Sequence, residues 1–472
     1  MKIHEDSGSP LYIIGITIVA TIGGFLFGFD SGAINGTVEG LQKAFNSDTA
    51  GTGFSVASIL LGCAVGAYFA GRLADKYGRR SIMIISAILF IISAAATGAA
   101  NSVTEFVIAR LITGLGIGAV SILAPIYISE IAPANKRGML TSLQQTAIIV
   151  GLFIAFVSNY LIAGAAGSAV NNFWFGIAAW RWMFWMELIP STIFLVGLLF
   201  IPETPRYYVL VGQNDKAKKV LTRLFGSITV ENKIREIAAS IGSRPRLSDL
   251  WDSVRKRLKP IVWVGIGLGA LQQFVGINVI FYYGAVLWRA VGFTENDALL
   301  INIISAVVSI IAVGITLAII DKVGRKPMLW IGSAGMTITL VILAYVFSTA
   351  TMGADGVLKL SSGMGIVALI AANVYVFFFN GTWGPVMWVM LGEMFPNQLR
   401  GSGLAVSGTS QWLSNFIVTM TFPILLTTIG LTGAYSIYAA FGLISLIFVL
   451  ALIPETKGKE LEEMDALWGE KK

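Results

Sequence analysis

Long charge-free runs recur along this chain, at 11–29, 49–71, 81–104, 111–129, 138–180, 260–288, 298–320, 327–354, 360–392 and 401–454. Roughly 20 apolar residues of helix cross the hydrocarbon core of a bilayer, so each run holds at least one crossing. A further stretch, about 180–201, carries only Arg181 and Glu187 in apolar company, and Gly430 and Gly433 cut the last run in two. The pattern predicts twelve crossings. Backbone polar groups in lipid must be satisfied within the segment, and no strand pattern of this length is present, so the crossings are expected to be helices. The expectation is an all-α integral membrane protein.

One long polar interruption, 202–259, separates residues 1–201 from 260–454, and a short tail, 455–472, follows. Lys216, Lys218, Lys219, Arg223, Arg255, Lys256 and Arg257 alternate there with apolar residues at helical spacing, which predicts short amphipathic helices between two six-span halves. The halves repeat each other. Asp75-Lys76-Tyr77-Gly78-Arg79-Arg80 after span 2 returns as Asp321-Lys322-Val323-Gly324-Arg325-Lys326 after span 8. Glu130, Pro133, Arg137 and Gly138 return, with identical spacing, as Glu393, Pro396, Arg400 and Gly401. Pro202-Glu203-Thr204 and Pro454-Glu455-Thr456 close the two halves. Three pairs in one order mark a duplicated half, and such halves enclose a site near the bilayer midplane. The charges in these motifs, with Arg72, suggest a latch: Asp75, Arg79, Glu130, Arg137, Glu203, Arg325, Glu393, Arg400 and Glu455 pairing across the halves when one gate is shut. Each such pair is weak, but several together bias an equilibrium.

Composition agrees: 56% of residues are hydrophobic and 12% charged. The net charge of +7 raises the question of nucleic acid, and its placement answers it. All but five of the 33 Lys and Arg fall in the termini and in the loops after even-numbered spans; Lys43, Arg289 and Lys359 lie on the other side, and Arg110 and Arg181 lie within spans. Positive residues stay cytoplasmic, so both termini are expected in the cytoplasm of a cell-membrane protein surrounded by lipid, with no nucleic-acid partner. No cleavable leader is read at the N-terminus, and the first span is the expected insertion signal. The single cysteine, Cys63, has no partner for a disulfide or a cysteine metal site, and the single histidine, His4, sits in the polar N-terminal tail. No metal or cofactor is expected.

Taken together, these motifs resemble the sugar porter family of the major facilitator superfamily, nearly end to end. The resemblance also rests on Pro202-Glu203-Thr204-Pro205-Arg206, Pro454-Glu455-Thr456-Lys457-Gly458, Gln272-Gln273-Phe274-Val275-Gly276-Ile277-Asn278 and Gly384-Pro385-Val386-Met387-Trp388. It is strongest to bacterial proton-linked pentose and hexose symporters. The second copy of the span 2 loop has Leu317 where the first has Gly71.

Ionisable groups within spans are costly and are functional candidates by default. Asp30 follows the glycine-rich run of span 1, Arg110 opens span 4, and Arg181 and Glu187 lie in span 6. A carboxylate facing a guanidinium stays ionised; parted from it in a dry environment, it takes up a proton. Arginine suits the fixed partner because it keeps its own proton. Asp30 is therefore the candidate proton site and Arg110 its partner; the resemblance, too, marks a first-span Asp as a sign of proton coupling, and it implies Glu187 as a second member of the cytoplasmic or proton network. A pairing of Glu187 with Arg181 is an equal alternative.

A neutral polyol needs side chains that both donate and accept hydrogen bonds, together with aromatic faces. The spans hold Gln144, Gln145, Gln272, Gln273, Asn278, Gln411 and Asn415, with Phe27, Tyr282, Tyr283, Trp388 and Trp412. The resemblance carries a sugar-binding role onto Gln145, Gln272, Gln273, Asn278, Trp388 and Gln411; Phe27, Tyr283 and Trp412 complete the candidate set. Gln272 and Asn278 point about 120° apart on an unbroken helix, so both line one cavity only if Gly276 kinks it. Two departures from xylose-type relatives stand out: Leu152 replaces a glutamine, and Ser309 replaces an asparagine on span 8. Small-xxx-small spacing at Gly62/Gly66 and Gly114/Gly118 predicts close helix packing, and Trp263 and Trp468 read as interfacial anchors. The resulting expectation is a monomeric sugar–proton symporter. A passive facilitator and a transporter-like sensor are the alternatives, and no enzymatic constellation is present.

Overall fold

The computed structural model describes residues 9–133, 137–227, 230–240, 250–252, 257–352, 358–395 and 397–457. In the first half, span 1 is Pro10–Phe45, span 2 Thr49–Tyr77, span 3 Arg79–Ala99, span 4 Val103–Ile131, span 5 Arg137–Ala166 and span 6 Ala179–Phe200. In the second, span 7 is Pro260–Ala290, span 8 Glu295–Val323, span 9 Arg325–Ser348, span 10 Ser362–Met394, span 11 Asn397–Thr428 and span 12 Gly430–Leu452. Eleven of these are long and apolar enough to cross a membrane by composition alone. Span 11 is as long, at 32 residues, but its middle carries Gln411, Ser414 and Asn415. Gly430, at φ +68°, makes the break between spans 11 and 12.

Between the halves run three short helices, Pro205–Leu210, Asn214–Phe225 and Val230–Ser240, and a two-residue ladder pairing Trp251–Asp252 with Arg257–Leu258. Lys218 and Glu231, 2.6 Å apart, tie the second helix to the third. Arg255, Lys256, His4 and Trp468 lie outside the described residues, and Trp263 is exposed, as an interfacial anchor requires.

Glycine sets the closest helix contacts. On span 1, Gly24, Gly28, Gly32 and Gly36 lie one turn apart, facing Gln144, Ile148, Ala155 and Asn159 of span 5 so closely that an added Cβ has no room. The Asn159 amide uses that proximity to donate to the Gly32 carbonyl at 2.8 Å. Gly62 and Gly66 of span 2 interlock with Gly114 and Leu115 of span 4 in the same way, as the small-residue spacing predicts.

The repeated acidic motifs build matching ends within each half. Glu203 accepts hydrogen bonds from the backbone N–H of Arg80 (2.9 Å) and Thr204 (2.8 Å), so it caps the start of span 3. Glu455 accepts from the N–H of Arg325 (3.0 Å) and Lys326 (3.1 Å), capping span 9. Both caps are made possible by a glycine at positive φ, Gly78 (+98°) and Gly324 (+102°), against which each carboxylate lies. An anion at a helix N-terminus meets unpaired N–H groups and the positive end of the dipole. Thr204 then caps Pro205–Leu210, with Pro205 in its first turn.

Candidate functional site

Three ionisable side chains, those of Asp30, Arg110 and Glu187, are buried in the first half. Asp30 of span 1 and Arg110 of span 4 form a hydrogen-bonded ion pair. Both are at most 2% exposed, and so is Glu187 of span 6. Glu187 sits where span 6 breaks between Ala179–Trp185 and Leu188–Phe200; the charges of Asp30 and Arg110 act on it, yet its Oε1 has no hydrogen-bond partner. Arg181 is not its partner: it donates to the carbonyls of Gly98 (2.8 Å) and Ala100 (2.7 Å), closing the C-terminal end of span 3. Of the two readings of Glu187, the pairing with Arg181 is not the one seen; Glu187 is buried within range of the charges of Asp30 and Arg110. A small pocket beside the pair is lined by Phe27, Asp30, Ser31, Cys63, Arg110 and Tyr282, with aliphatic side chains around them.

The second half gathers the amides. Span 7 is broken as anticipated: its first piece, Pro260–Phe274, ends before Gly276, at φ +84°, and Ile277–Ala290 begins a new helix. The break turns Asn278 back so that its Nδ2 donates to Gln273 Oε1 at 2.5 Å. Gln273 in turn donates to Gln272 Oε1 (3.1 Å), and Gln411 of span 11 donates to the same oxygen (3.3 Å). Gln272 Nε2 reaches the Trp383 carbonyl (3.1 Å), which belongs to a wide-turn segment of span 10, Phe379–Trp383. Four of the sequence candidates thus form one connected cluster.

The other candidates fall around it. Phe27 of span 1 packs edge-on against Trp412 of span 11, 5.5 Å between centroids, and half-buried Trp388 lies over Gly408. Gln145 is half-buried, whereas Gln144 turns away to pack on Gly24. Tyr283 differs from expectation: its hydroxyl donates to the Thr419 carbonyl (3.0 Å) and its ring packs on Phe422, so it presents no polar group to the cluster. Tyr282 is the tyrosine of that pair whose hydroxyl faces polar side chains, Ser31 and Asn415.

Asn380 escaped the sequence reading. Its Nδ2 donates to Ser309 Oγ at 3.0 Å, which brings an amide from span 10 to the side chain of Ser309 on span 8. The only sequence signal was a polar residue in the aromatic run Phe377-Phe378-Phe379-Asn380.

All hydrogen bonds and ion pairs that join the two halves, among the described residues, lie on the side away from the linker. Asn35 of span 1 donates to the Phe281 carbonyl (2.8 Å) and accepts from Ala285 N–H (3.2 Å) and Asn302 Nδ2 (2.8 Å). Glu39 pairs with Arg289. Glu295 accepts from Ser168 Oγ (2.7 Å) and Ala169 N–H (2.8 Å). On the linker side the anticipated latch residues pair within their own halves: Arg79 with Asp75 (2.9 Å) and Glu130 (3.3 Å), Arg325 with Asp321 (2.9 Å) and Glu393 (2.8 Å). Arg72 stands over the Tyr68 ring, and the side chains of Arg137 and Arg400 lie outside what the structure describes. Among the described residues the halves are therefore fastened by hydrogen bonds and an ion pair on the face away from the linker.

This arrangement is similar to that of known transporters. The profile of the "Sugar (and other) transporter" family matches residues 16–468. The chain is 51% identical over 463 residues to the glucose transport protein of Synechocystis sp., covering 98% of each chain. It is 37% identical over 496 residues to the D-xylose-proton symporter of Escherichia coli K12, covering 97% of this chain and 96% of that one. Among solved structures it superposes on the inward-open conformation of the xylose transporter of E. coli with a TM-score of 0.82 at 36% identity, covering 97% of this chain and 100% of the other.

Proposed function

Because the chain belongs to the sugar transporter family of the major facilitator superfamily, we propose that it carries a pentose or hexose across the cell membrane together with a proton, by alternating access. The observation that supports coupling is the buried group of Asp30, Arg110 and Glu187: two carboxylates around one guanidinium. In a site of low dielectric an unmatched charge is expensive, and a proton is the smallest species that neutralises the second carboxylate. When the halves rock and Arg110 shifts relative to Asp30, the proton is taken up or given back.

The sugar occupies the cluster of Gln272, Gln273, Asn278 and Gln411, with Gln145 and Asn380 at its edges and Trp388, Trp412 and Phe27 offering apolar faces. Amides suit it because each both donates and accepts, as every sugar hydroxyl does. The linker and both termini lie in the cytoplasm, following the distribution of Lys and Arg; the open face of this structure then opens inward. The likeness to both a glucose and a xylose carrier leaves two sugars to rank by experiment.

Uptake of labelled D-glucose and D-xylose into vesicles of the purified protein, with and without an inward proton gradient, tests the proposal. Accumulation above the outside concentration, collapsed by a protonophore, is the expected result for the preferred sugar. Asp30→Asn is expected to abolish accumulation while sugar exchange across the membrane persists. Equilibration without accumulation in the unaltered protein makes it a facilitator and reduces Asp30 to a structural residue.

A further inference from the structure

The proton pocket belongs to the first half and the amide cluster to the second, so coupling requires a physical link between them. Among the residues lining the pocket, Tyr282 alone comes from the second half. It sits on the second piece of span 7, five residues beyond the Ile277 that starts it, and is buried. Its hydroxyl faces Ser31, the neighbour of Asp30, and Asn415, one helical turn from Gln411.

The donors and acceptors around this hydroxyl fix a direction. Ser31 Oγ donates to the Phe27 carbonyl at 2.8 Å, so toward Tyr282 it can only accept. The phenol has a single hydrogen, which Ser31 takes, so Asn415 meets the Tyr282 oxygen with its N–H while its Oδ1 accepts from Thr419 Oγ1 at 3.1 Å. A phenol both donates and accepts. Tyr282 and Ser31 line one pocket with Asp30, and the order these groups permit runs from Asn415 N–H to the Tyr282 oxygen and from Tyr282 O–H to Ser31 Oγ, whose own hydrogen is held by the Phe27 carbonyl. It begins beside the amide cluster and ends in the helical turn that carries Asp30.

We propose that the Tyr282 hydroxyl is the positioning residue that couples sugar occupancy to the protonation of Asp30. A sugar hydroxyl that engages Asn415 draws its amide away from Tyr282. The phenol then turns or withdraws, Ser31 loses a donor, and the polar surroundings of Asp30 change with the sugar. The reverse holds by linkage: the charge state of Asp30 alters how well Asn415 is held for the sugar. The ionisable groups around Asp30 are Cys63 from span 2, Arg110 from span 4, Glu187 from span 6 and Tyr282 itself; span 5 carries none between Met139 and Ser158. Of these, only Tyr282 reaches the second half. The inference rests on the proton-symport reading of Asp30 and adds to it the route by which the two sites communicate.

Tyr282→Phe removes one oxygen and keeps the ring, so packing is preserved. The measurements are gradient-driven accumulation, sugar exchange at equal pH, and the pH dependence of sugar affinity, for the unaltered protein, Tyr282→Phe, Ser31→Ala and Asp30→Asn. Tyr282→Phe and Ser31→Ala are both expected to keep exchange within about threefold, to lose at least tenfold in accumulation, and to flatten the pH dependence of affinity. If Asp30→Asn abolishes accumulation but Tyr282→Phe and Ser31→Ala accumulate sugar normally, this inference is overturned and the proton reading stands. If Asp30→Asn itself accumulates sugar, the proton reading fails first. Loss of exchange together with accumulation in both Tyr282→Phe and Ser31→Ala also overturns the link, since the hydroxyls would then serve binding or closure.

Discussion

Single side chains decide what this site recognises. Gln272 is the hub of the amide cluster: its oxygen accepts from two other glutamines and its nitrogen reaches the main chain of span 10. Gln272→Ala removes the hub and leaves donors from Gln273 and Gln411 unmatched. At roughly 1 to 1.5 kcal/mol per net hydrogen bond, sugar affinity is expected to fall about tenfold or more, measurable as a shifted titration of Trp388 and Trp412 fluorescence. The amide inventory was legible in the sequence because uncharged polar residues stand out in apolar spans. Asn380 was not, since it lies in an irregular turn whose position the sequence does not announce. Choosing between Tyr282 and Tyr283 also required the fold: adjacent helical residues differ by 100°, and the orientation of the second piece of span 7 depends on the turn at Gly276.

At the scale of elements, interruptions matter as much as helices. The break in span 7 could be inferred from two residues that had to face one cavity and a glycine lying between them. The wide turn in span 10 and the break in span 6 at Glu187 had no such pair of constraints and were missed. Gly276→Ala puts a Cβ into a left-handed backbone, which costs about 1 to 2 kcal/mol, and drives it against the ring of Tyr438. The expected outcome is a lower melting temperature and loss of measurable sugar binding by the same fluorescence titration, because Asn278 can no longer fold back on Gln273. The acidic repeats were read as a latch that joins the halves when the linker-side gate is shut, and this structure has no such bond among the described residues on that face. Beyond that reading, the two terminal glutamates cap helices of their own half, a role that depends on backbone N–H groups the sequence does not display.

For the whole molecule, the question is which face is shut. Asn35 makes its hydrogen bonds to spans 7 and 8 only while the face away from the linker is closed. Asn35→Ala is expected to disfavour that state by about 2 kcal/mol, roughly a thirtyfold shift in the balance of conformers. Distances between spin labels placed on linker-side ends of the two halves would shorten as the population moves to the opposite state. Gly284→Ala should act alike, since its Cβ would intrude on Asn35 and Asn302; an unchanged distance distribution in both variants would remove Asn35 from the gate. This clamp was invisible in the sequence because Asn35 lies near the end of a span, where a polar residue raises no question.

The paired glutamate caps have one more consequence. On the linker side each half finishes its own helix ends, and Arg79 and Arg325 are matched by carboxylates of their own half. The linker is thus a tether and not a brace: the energy difference between the two conformers resides in the seam between the halves, and substitutions in the tether should alter how fast that seam is assembled during synthesis far more than how it moves afterwards.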